Sequence, residues 1–345
     1  MLRARILDPL LAAAGLESGA PAAGDTRGPE VFVCLDDFLH LVPLDALPLD
    51  ERGLVIGDRF RIRNEVSFAR LLEPRKPAAG KGLLAVGGVD YEASTSGADA
   101  GKALVVASAP LRGGDRSGSL SGWKELPGTR EEVAAVASLF EGAFGEKASL
   151  LESGAATKAA LAEGARGKRF VHVATHGWFA PETILSSLDA GRSGDPGFQS
   201  SAGRTALGLA PMTLCGLCLS GANRGRDELG RVLGLLTAEE LAGFDLSACE
   251  LVVLSACETN VGLSRAGQGI LSLQSALQAA GARTTITSLW RVSDVLTREL
   301  MERFYRHLWA GNTARSEALW LAKKEMRQQG HPPSAWAGWV LNGDP

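Results

Sequence analysis

The chain has 345 residues, enough for one large α/β domain or two smaller ones around a sizeable buried core. With 45% hydrophobic and 22% charged residues, a formal net charge of −3 and a pI near 6.0, it offers no basic field for nucleic acid or an anionic membrane surface. No apolar run reaches the roughly 18 residues of a membrane span, so neither nucleic acid nor membrane is expected as a partner.

In chain order, MLRARILDPLLAAAG reads as an amphipathic first helix, because Asp8 and Pro9 interrupt what would otherwise resemble a signal peptide. Strand-like apolar runs follow at 31–35, 54–63, 82–88, 169–175, 250–257 and 283–290. Several are continuously apolar, as in strands covered on both faces. Between them lie helical segments with start and stop signals. Thr129 with Glu132 reads as a capping box before EVAAVASLF, whose Val133, Val136 and Phe140 share one face. Thr157 is placed to cap KAALAEGA, and Thr237 with Glu240 forms a second capping box. QGILSLQSALQAAG puts Ile270, Leu273, Leu277 and Ala280 on one stripe and stops at Gly281. VLTRELMERFYRHLW and TARSEALWLAKKEMRQQ are two further helices, the second closed by Gly330. Strands alternating with helices predict βαβ units and a mostly parallel sheet. The stretch 73–81 (EPRKPAAGK) reads as a linker, and 92–122 and 181–205 as long surface loops.

In a parallel α/β sheet, reactive groups collect at the carboxyl ends of the strands. Two strand ends carry capable residues. RFVHVAT runs into His176 and Gly177, and ELVVLSA runs into Cys257. As parallel neighbours, these strands would bring an imidazole and a thiol to one edge, about one strand spacing of 5 Å or a little more apart. The imidazole would raise the reactive fraction of the thiol and later protonate a leaving amine. Backbone N–H groups at the turn, such as that of Gly177, would stabilise an oxyanion. On these residues alone the alternatives stay open, because a strand-end histidine is often structural and a cysteine on an apolar strand is often a small core residue.

Other candidates read as structural. His172 lies four residues before His176, roughly 13 Å along a strand, too far for the two to share a metal ion. Cys215 and Cys218 form a CxxC inside MTLCGLCLSGA, where a strand would send the two sulfurs to opposite faces; a zinc or redox role is the weaker reading. Cys34 and Cys249 read as inert. The odd number of cysteines, mostly in apolar runs, suits reduced thiols and a cytoplasmic location. Trp309, Trp320, Trp336 and Trp339 read as packing residues.

A wider set of segments resembles the CHAT domain, a family related to caspases and separases. They are VFVCLDDFLHLVPLDALPL, LLAVGGVDY, ELPGTREEVAAVASLF, VHVATHGWF, LTAEELAGFDLSACELVVLSACETNVG, GQGILSLQSALQAAGARTTITSLWRVSD, ELMERFYRHLWAGNTARSEALWLAKKEM and HPPSAWAGWVLNGDP. The resemblance covers nearly the whole chain. It implies a caspase-like three-layer α/β/α sandwich with a mostly parallel central sheet. It implies an N-terminal segment 1–78 packed on a catalytic domain 79–345. It makes His176 the catalytic histidine and Cys257 the nucleophile, with the N–H groups of Gly177 and Cys257 as the oxyanion hole. Ser288, Trp290 and Arg291 would line the substrate cleft, and Asp294 stands near the acidic residue with which separases receive a basic side chain. Where separases often carry an acidic residue after the tryptophan, this chain has Arg291, and Gly267-Gln268-Gly269 stands for the family's frequent Gly-Glu-Gly. The implied activity is that of a cysteine endopeptidase acting on a protein substrate, with no metal and no cofactor. An activating protein or an upstream TPR-type partner is the implied regulator. The alternative is a catalytically silent interaction module that keeps the fold.

Overall fold

The computed structural model describes residues 8–13, 30–35, 39, 42–49, 53–65, 79–94, 122–179, 212, 215–224, 233–256 and 273–344. A short helix α1 (Asp8–Ala13) precedes strands β1 (Glu30–Val33) and β2 (Arg61–Asn64). Then come β3 (Leu83–Val89), α2 (Pro127–Phe144), β4 (Ser149–Ser153), α3 (Lys158–Ala165), β5 (Phe170–Ala174) and β6 (Gly177–Phe179). They are followed by β7 (Cys215–Cys218), β8 (Leu235–Thr237), α4 (Ala238–Ala242), β9 (Leu251–Ser255), a helical stretch over 273–279 and β10 (Thr284–Ser288). The chain continues through α5 (Asp294–Tyr305), a π-helical turn (Arg306–Ala310), α6 (Arg315–Gln328), α7 (Pro333–Trp336) and β11 (Trp339–Gly343).

Eight strands form one sheet in the order β1-β2-β11-β10-β9-β5-β3-β4. Every pairing is parallel except β10 with β11, so β1, β2 and β11 run against the other five strands. Alternate residues of the central strands feed two separate cores. Leu83, Ala85, Phe170, Leu251, Val253 and Ile286 pack against α2, α5 and α6. Leu84, Val86, Val171, Val173, Val252 and Leu254 pack against α3, α4, the 273–279 helix and the small antiparallel sheet β6-β7-β8. Coverage of both faces explains why these strands are apolar throughout. Each fully buried side chain of this size contributes about 1.5–3 kcal/mol of transfer free energy. The result is the expected architecture, a caspase-like α/β/α sandwich with a mostly parallel central sheet.

Several local expectations hold. Thr157 caps α3 by accepting from the Ala160 N–H, and Thr237 with Glu240 forms a complete capping box on α4. Gly281 has φ +104 after the 273–279 helix. Cys215 and Cys218 lie buried on β7 as CGLC, three residues apart. Trp336 and Trp339 are buried, and Trp309 stacks on Tyr305.

Two expectations are corrected. First, Thr129 and Glu132 do not form a capping box. Helix α2 starts earlier, with Pro127 in its first turn, so Thr129 lies inside that turn. Its hydroxyl donates to the Leu126 carbonyl at 2.7 Å and accepts from the Gly88 N–H at 2.9 Å, while Glu132 turns into the core. Second, the run 54–63 is not one strand. Val55 makes an isolated bridge to Pro48, residues Ile56–Asp58 form a 3-10 turn, and only Arg61–Asn64 joins the sheet. The turn is held by the Val55 N–H donating to Asp58 Oδ2 at 3.0 Å, and by Trp320 pressed on Gly57 so closely that a Cβ there would come within 2.5 Å of its ring. Cys34, just after β1, is exposed. The linker 73–81 beyond its last residues, the loop 181–205, most of 92–122 and Ile270 lie outside the described residues.

Candidate active site

The central question is whether the histidine and cysteine strands are neighbours. They are. β5 and β9 pair in parallel from Phe170↔Leu251 to Ala174↔Ser255. The pairing continues past the strand ends, where the Thr175 N–H donates to the Ser255 carbonyl at 3.3 Å. His176 therefore leaves the sheet beside Ala256, one residue before Cys257. Cys257 itself lies outside the described residues.

His176 is fixed from every side. It is 6% exposed. Its carbonyl accepts from the Cys218 N–H at 2.8 Å, which ties the histidine to β7. The ring lies between Tyr91 and Trp123, with centroids 5.2 and 5.3 Å away. The Tyr91 hydroxyl is 2.9 Å from Thr175 Oγ1, which in turn donates to the Cys218 carbonyl at 2.5 Å. His176 Nε2 is 2.8 Å from the Lys124 carbonyl oxygen. A carbonyl only accepts, so Nε2 carries the proton, and in the neutral ring Nδ1 is the basic nitrogen.

Gly177 begins β6 against Leu217 of β7. A Cβ at this position would stand 3.2 Å from the Ala256 carbonyl oxygen, tighter than ordinary contact. The two strand ends approach this closely because residue 177 has no side chain.

One cleft brings His176 together with Thr175, Ser255, Glu132, Arg291 and Asp294. Ser293 caps α5 by accepting from the Leu296 N–H, which leaves Asp294 in the first turn, against Gly128 at the start of α2. Arg291 is exposed at the rim. Ser288 and Trp290 are held by the turn that follows β10. The Ser288 hydroxyl donates to the Trp290 carbonyl at 2.5 Å, and the Trp290 ring packs on Gly338 while its Nε1–H donates to the Ser334 carbonyl at 2.8 Å.

Beneath the cleft runs a buried polar chain whose members share no common signal in the sequence. Glu132 and His172 are 1% and 0% exposed. Glu132 Oε1 accepts from His172 Nε2 at 3.0 Å, and Oε2 accepts from the Ser255 hydroxyl at 3.2 Å. Tyr305 Oη lies 3.0 Å from His172 Nδ1. A carboxylate only accepts, so Nε2 is the donor; with a neutral ring the tyrosine hydroxyl then donates to Nδ1 and every partner is satisfied. Burial, followed by the nearby charge of Glu132, pushes the Tyr305 hydroxyl well above its ordinary range, which keeps it a donor. His172 is thus a core histidine, as read from its spacing.

Cys249, at the opposite end of β9, is buried, and its thiol is pushed up to about 12, first by burial. Among the described residues no group of three metal-ligating side chains gathers, and no helix is long and apolar enough to cross a membrane.

Tyr91, Trp123, Lys124 and Glu132 were not anticipated at this site. Tyr91 follows β3 by two residues, so the strand-end rule points to it, but nothing in the sequence marks its ring as the one against which the imidazole packs. Trp123 and Lys124 fell in or beside a Gly- and Ser-rich stretch with no periodic signal.

The comparisons with known proteins agree with this architecture. No curated protein matches the chain. The family model described as CHAT domain matches residues 2–344, essentially the whole chain. The chain belongs to the CHAT domain family, which is related to the caspase-type cysteine peptidases.

Proposed function

We propose that this protein is a cysteine endopeptidase in which Cys257 is the nucleophile and His176 the general base and acid. The observation that carries the reading is the parallel pairing of β5 with β9, which ends at Ala174↔Ser255 and leads His176 and the chain entering Cys257 to one edge. The tautomer of His176 fits the role. With Nε2–H donating to the Lys124 carbonyl, Nδ1 is the nitrogen that carries no proton in the neutral ring, and it takes the thiol proton. The thiolate attacks the peptide carbonyl, and the oxyanion is stabilised by the N–H groups of Gly177 and Cys257. Nδ1–H then protonates the leaving amine, which departs as the C–N bond breaks. Nδ1 next takes a proton from water, whose oxygen attacks the acyl-enzyme and releases the acid and the thiol.

In this reading Arg291 and Asp294 form walls of the substrate cleft, since both share it with His176. Ser288 and Trp290 act behind that wall, shaping the turn that presents Arg291. The substrate is a protein, and the compartment is a reducing cytoplasm. The test is cleavage of a peptide library by the wild type, Cys257→Ala and His176→Ala. Both variants are expected to lose cleavage by three or more orders of magnitude, roughly the loss seen when a nucleophile or its base is removed. Cleavage by Cys257→Ala at the wild-type rate would sink the assignment.

A further inference from the structure

We infer that Asn223 is a positioning residue for His176, acting through the loop that carries Trp123 and Lys124. This rests on the reading of His176 as the base. The acceptor that sets the His176 tautomer is the Lys124 carbonyl, and it belongs to the irregular stretch 122–126 ahead of α2. Such a stretch has no ladder of its own, so side chains must hold it.

One side chain does so with its full capacity. Asn223 Oδ1 accepts from the Gly122 N–H at 2.9 Å and the Trp123 N–H at 2.8 Å. Its Nδ2 donates to the Trp123 carbonyl at 2.9 Å and to Glu92 Oε1 at 2.7 Å. An amide has two acceptor sites and two donor hydrogens, and here all four are used. The amide orientation follows from its surroundings, because a flipped group would set donors against two N–H groups.

Asn223 is itself anchored. Its N–H donates to the Tyr91 carbonyl at 2.9 Å, and the neighbouring Arg224 Nε donates to the Glu92 carbonyl at 2.5 Å. The Gly221 N–H donates to the Asp90 carbonyl at 3.2 Å. The end of β3, the turn after β7 and the 122–124 loop thus meet at one residue. The same junction supplies both rings that flank His176, Tyr91 from one arm and Trp123 from another.

The test uses the full chain in a Cys34→Ser background, because Cys34 is exposed and would compete for label. Two quantities are read: the rate of Cys257 alkylation by iodoacetamide against pH, and the ¹⁵N-coupled Nε2–H resonance of His176. Asn223→Ala is expected to slow alkylation at neutral pH about 10- to 100-fold, the scale of a displacement near 1 Å at a reacting group, and to remove or broaden the ring N–H signal. Asn223→Asp keeps both acceptor contacts but sets a carboxylate against Glu92 and the Trp123 carbonyl, so it should be similarly impaired. Adding Glu92→Gln gives that carboxylate an amide donor on one of its two sides and should restore part of the rate and of the ring signal.

An Asn223→Ala protein with an unchanged Nε2–H resonance would overturn the inference. So would an Asn223→Asp defect that ignores Glu92→Gln, since a merely structural loss would not follow that charge. If Cys257 in the parent chain reacts no faster than an unfolded thiol, the peptidase reading falls, and the ring resonance alone decides the role of Asn223.

Discussion

Tyr305→Phe removes a single oxygen from the buried chain under the cleft and leaves the rest of the side chain in place. The phenyl ring keeps its stack on Trp309, with centroids 4.3 Å apart, and its contact with Phe304. The loss is therefore confined to the contact with His172 Nδ1 at 3.0 Å. Both residues are 0% exposed, so water cannot replace the missing donor without a local opening. A buried acceptor stranded in this way costs about 1–3 kcal/mol. The unfolding entropy of a 345-residue chain is about 0.7 kcal/mol per degree, so the thermal midpoint should fall by about 1.5–4 °C. His172→Ala should cost more, about 3–5 kcal/mol, because it opens a cavity and leaves the Glu132 carboxylate, among the described residues, with the Ser255 hydroxyl as its partner. Calorimetry of the wild type and both variants measures the series. Tyr305→Phe matching the wild-type midpoint, or costing more than His172→Ala, would refute the assignment of donor and acceptor along the chain.

Acid should loosen the packing of the 3-10 turn on α6. Burial alone would raise the Asp58 carboxyl, but the hydrogen bonds from Arg327 and the Val55 N–H, with the charges of Arg327 and Lys324, hold it below its ordinary value of 3.8. A carboxyl with a lowered folded value stabilises above its unfolded value and loses that contribution as pH falls through the folded one. Wild type should thus lose more stability than Asp58→Asn on going from about pH 5 to about pH 3; equal losses would remove Asp58 from the acid response. Thiol labelling gives a second check. Native protein treated with iodoacetamide near neutral pH should label Cys34 and spare Cys249, whose buried thiol is pushed up to about 12, until the chain is unfolded. Mass spectrometry showing Cys249 labelled as fast as Cys34 would contradict the burial of the β9 entrance.

What the sequence revealed of the fold was whatever depended on burial of both sheet faces. Continuous apolar runs marked β3, β5, β9 and β10 to within a residue or two. Strands β4 and β11 escaped for opposite reasons. SLLES is an edge strand with Leu150 44% exposed, so it lacks the apolar continuity of a central strand. Trp339–Gly343 is fully buried but short and follows a Pro-rich turn, and its tryptophan read as packing rather than as the start of a strand. Of the candidate site, the neighbouring of β5 and β9 was legible, because both strands lead into chemically capable residues. The part that was not legible is the support. Glu132 stands three residues after Thr129, a spacing shared by a capping box and by an inward-facing carboxylate, and only the position of Pro127 and the contacts of His172 separate the two. Asn223, Trp123 and Tyr91 come from three places in the chain and meet only through tertiary structure.

The placement of β11 has a consequence for how the molecule is built during synthesis. This strand lies between β10 and β2, and Asn64 Nδ2 donates to the Leu341 carbonyl across a separation of 277 residues. β1 and β2 leave the ribosome long before the strand that joins them to the sheet. Until β11 arrives, β2 has β1 as its neighbour on one side and an open edge on the other, the situation in which strands pair with the wrong partner. The charged residues of the early strands, Glu30 on β1 with Arg61 and Arg63 on β2, suit that interval: they make a poor template for a foreign apolar strand while the pair waits for its own.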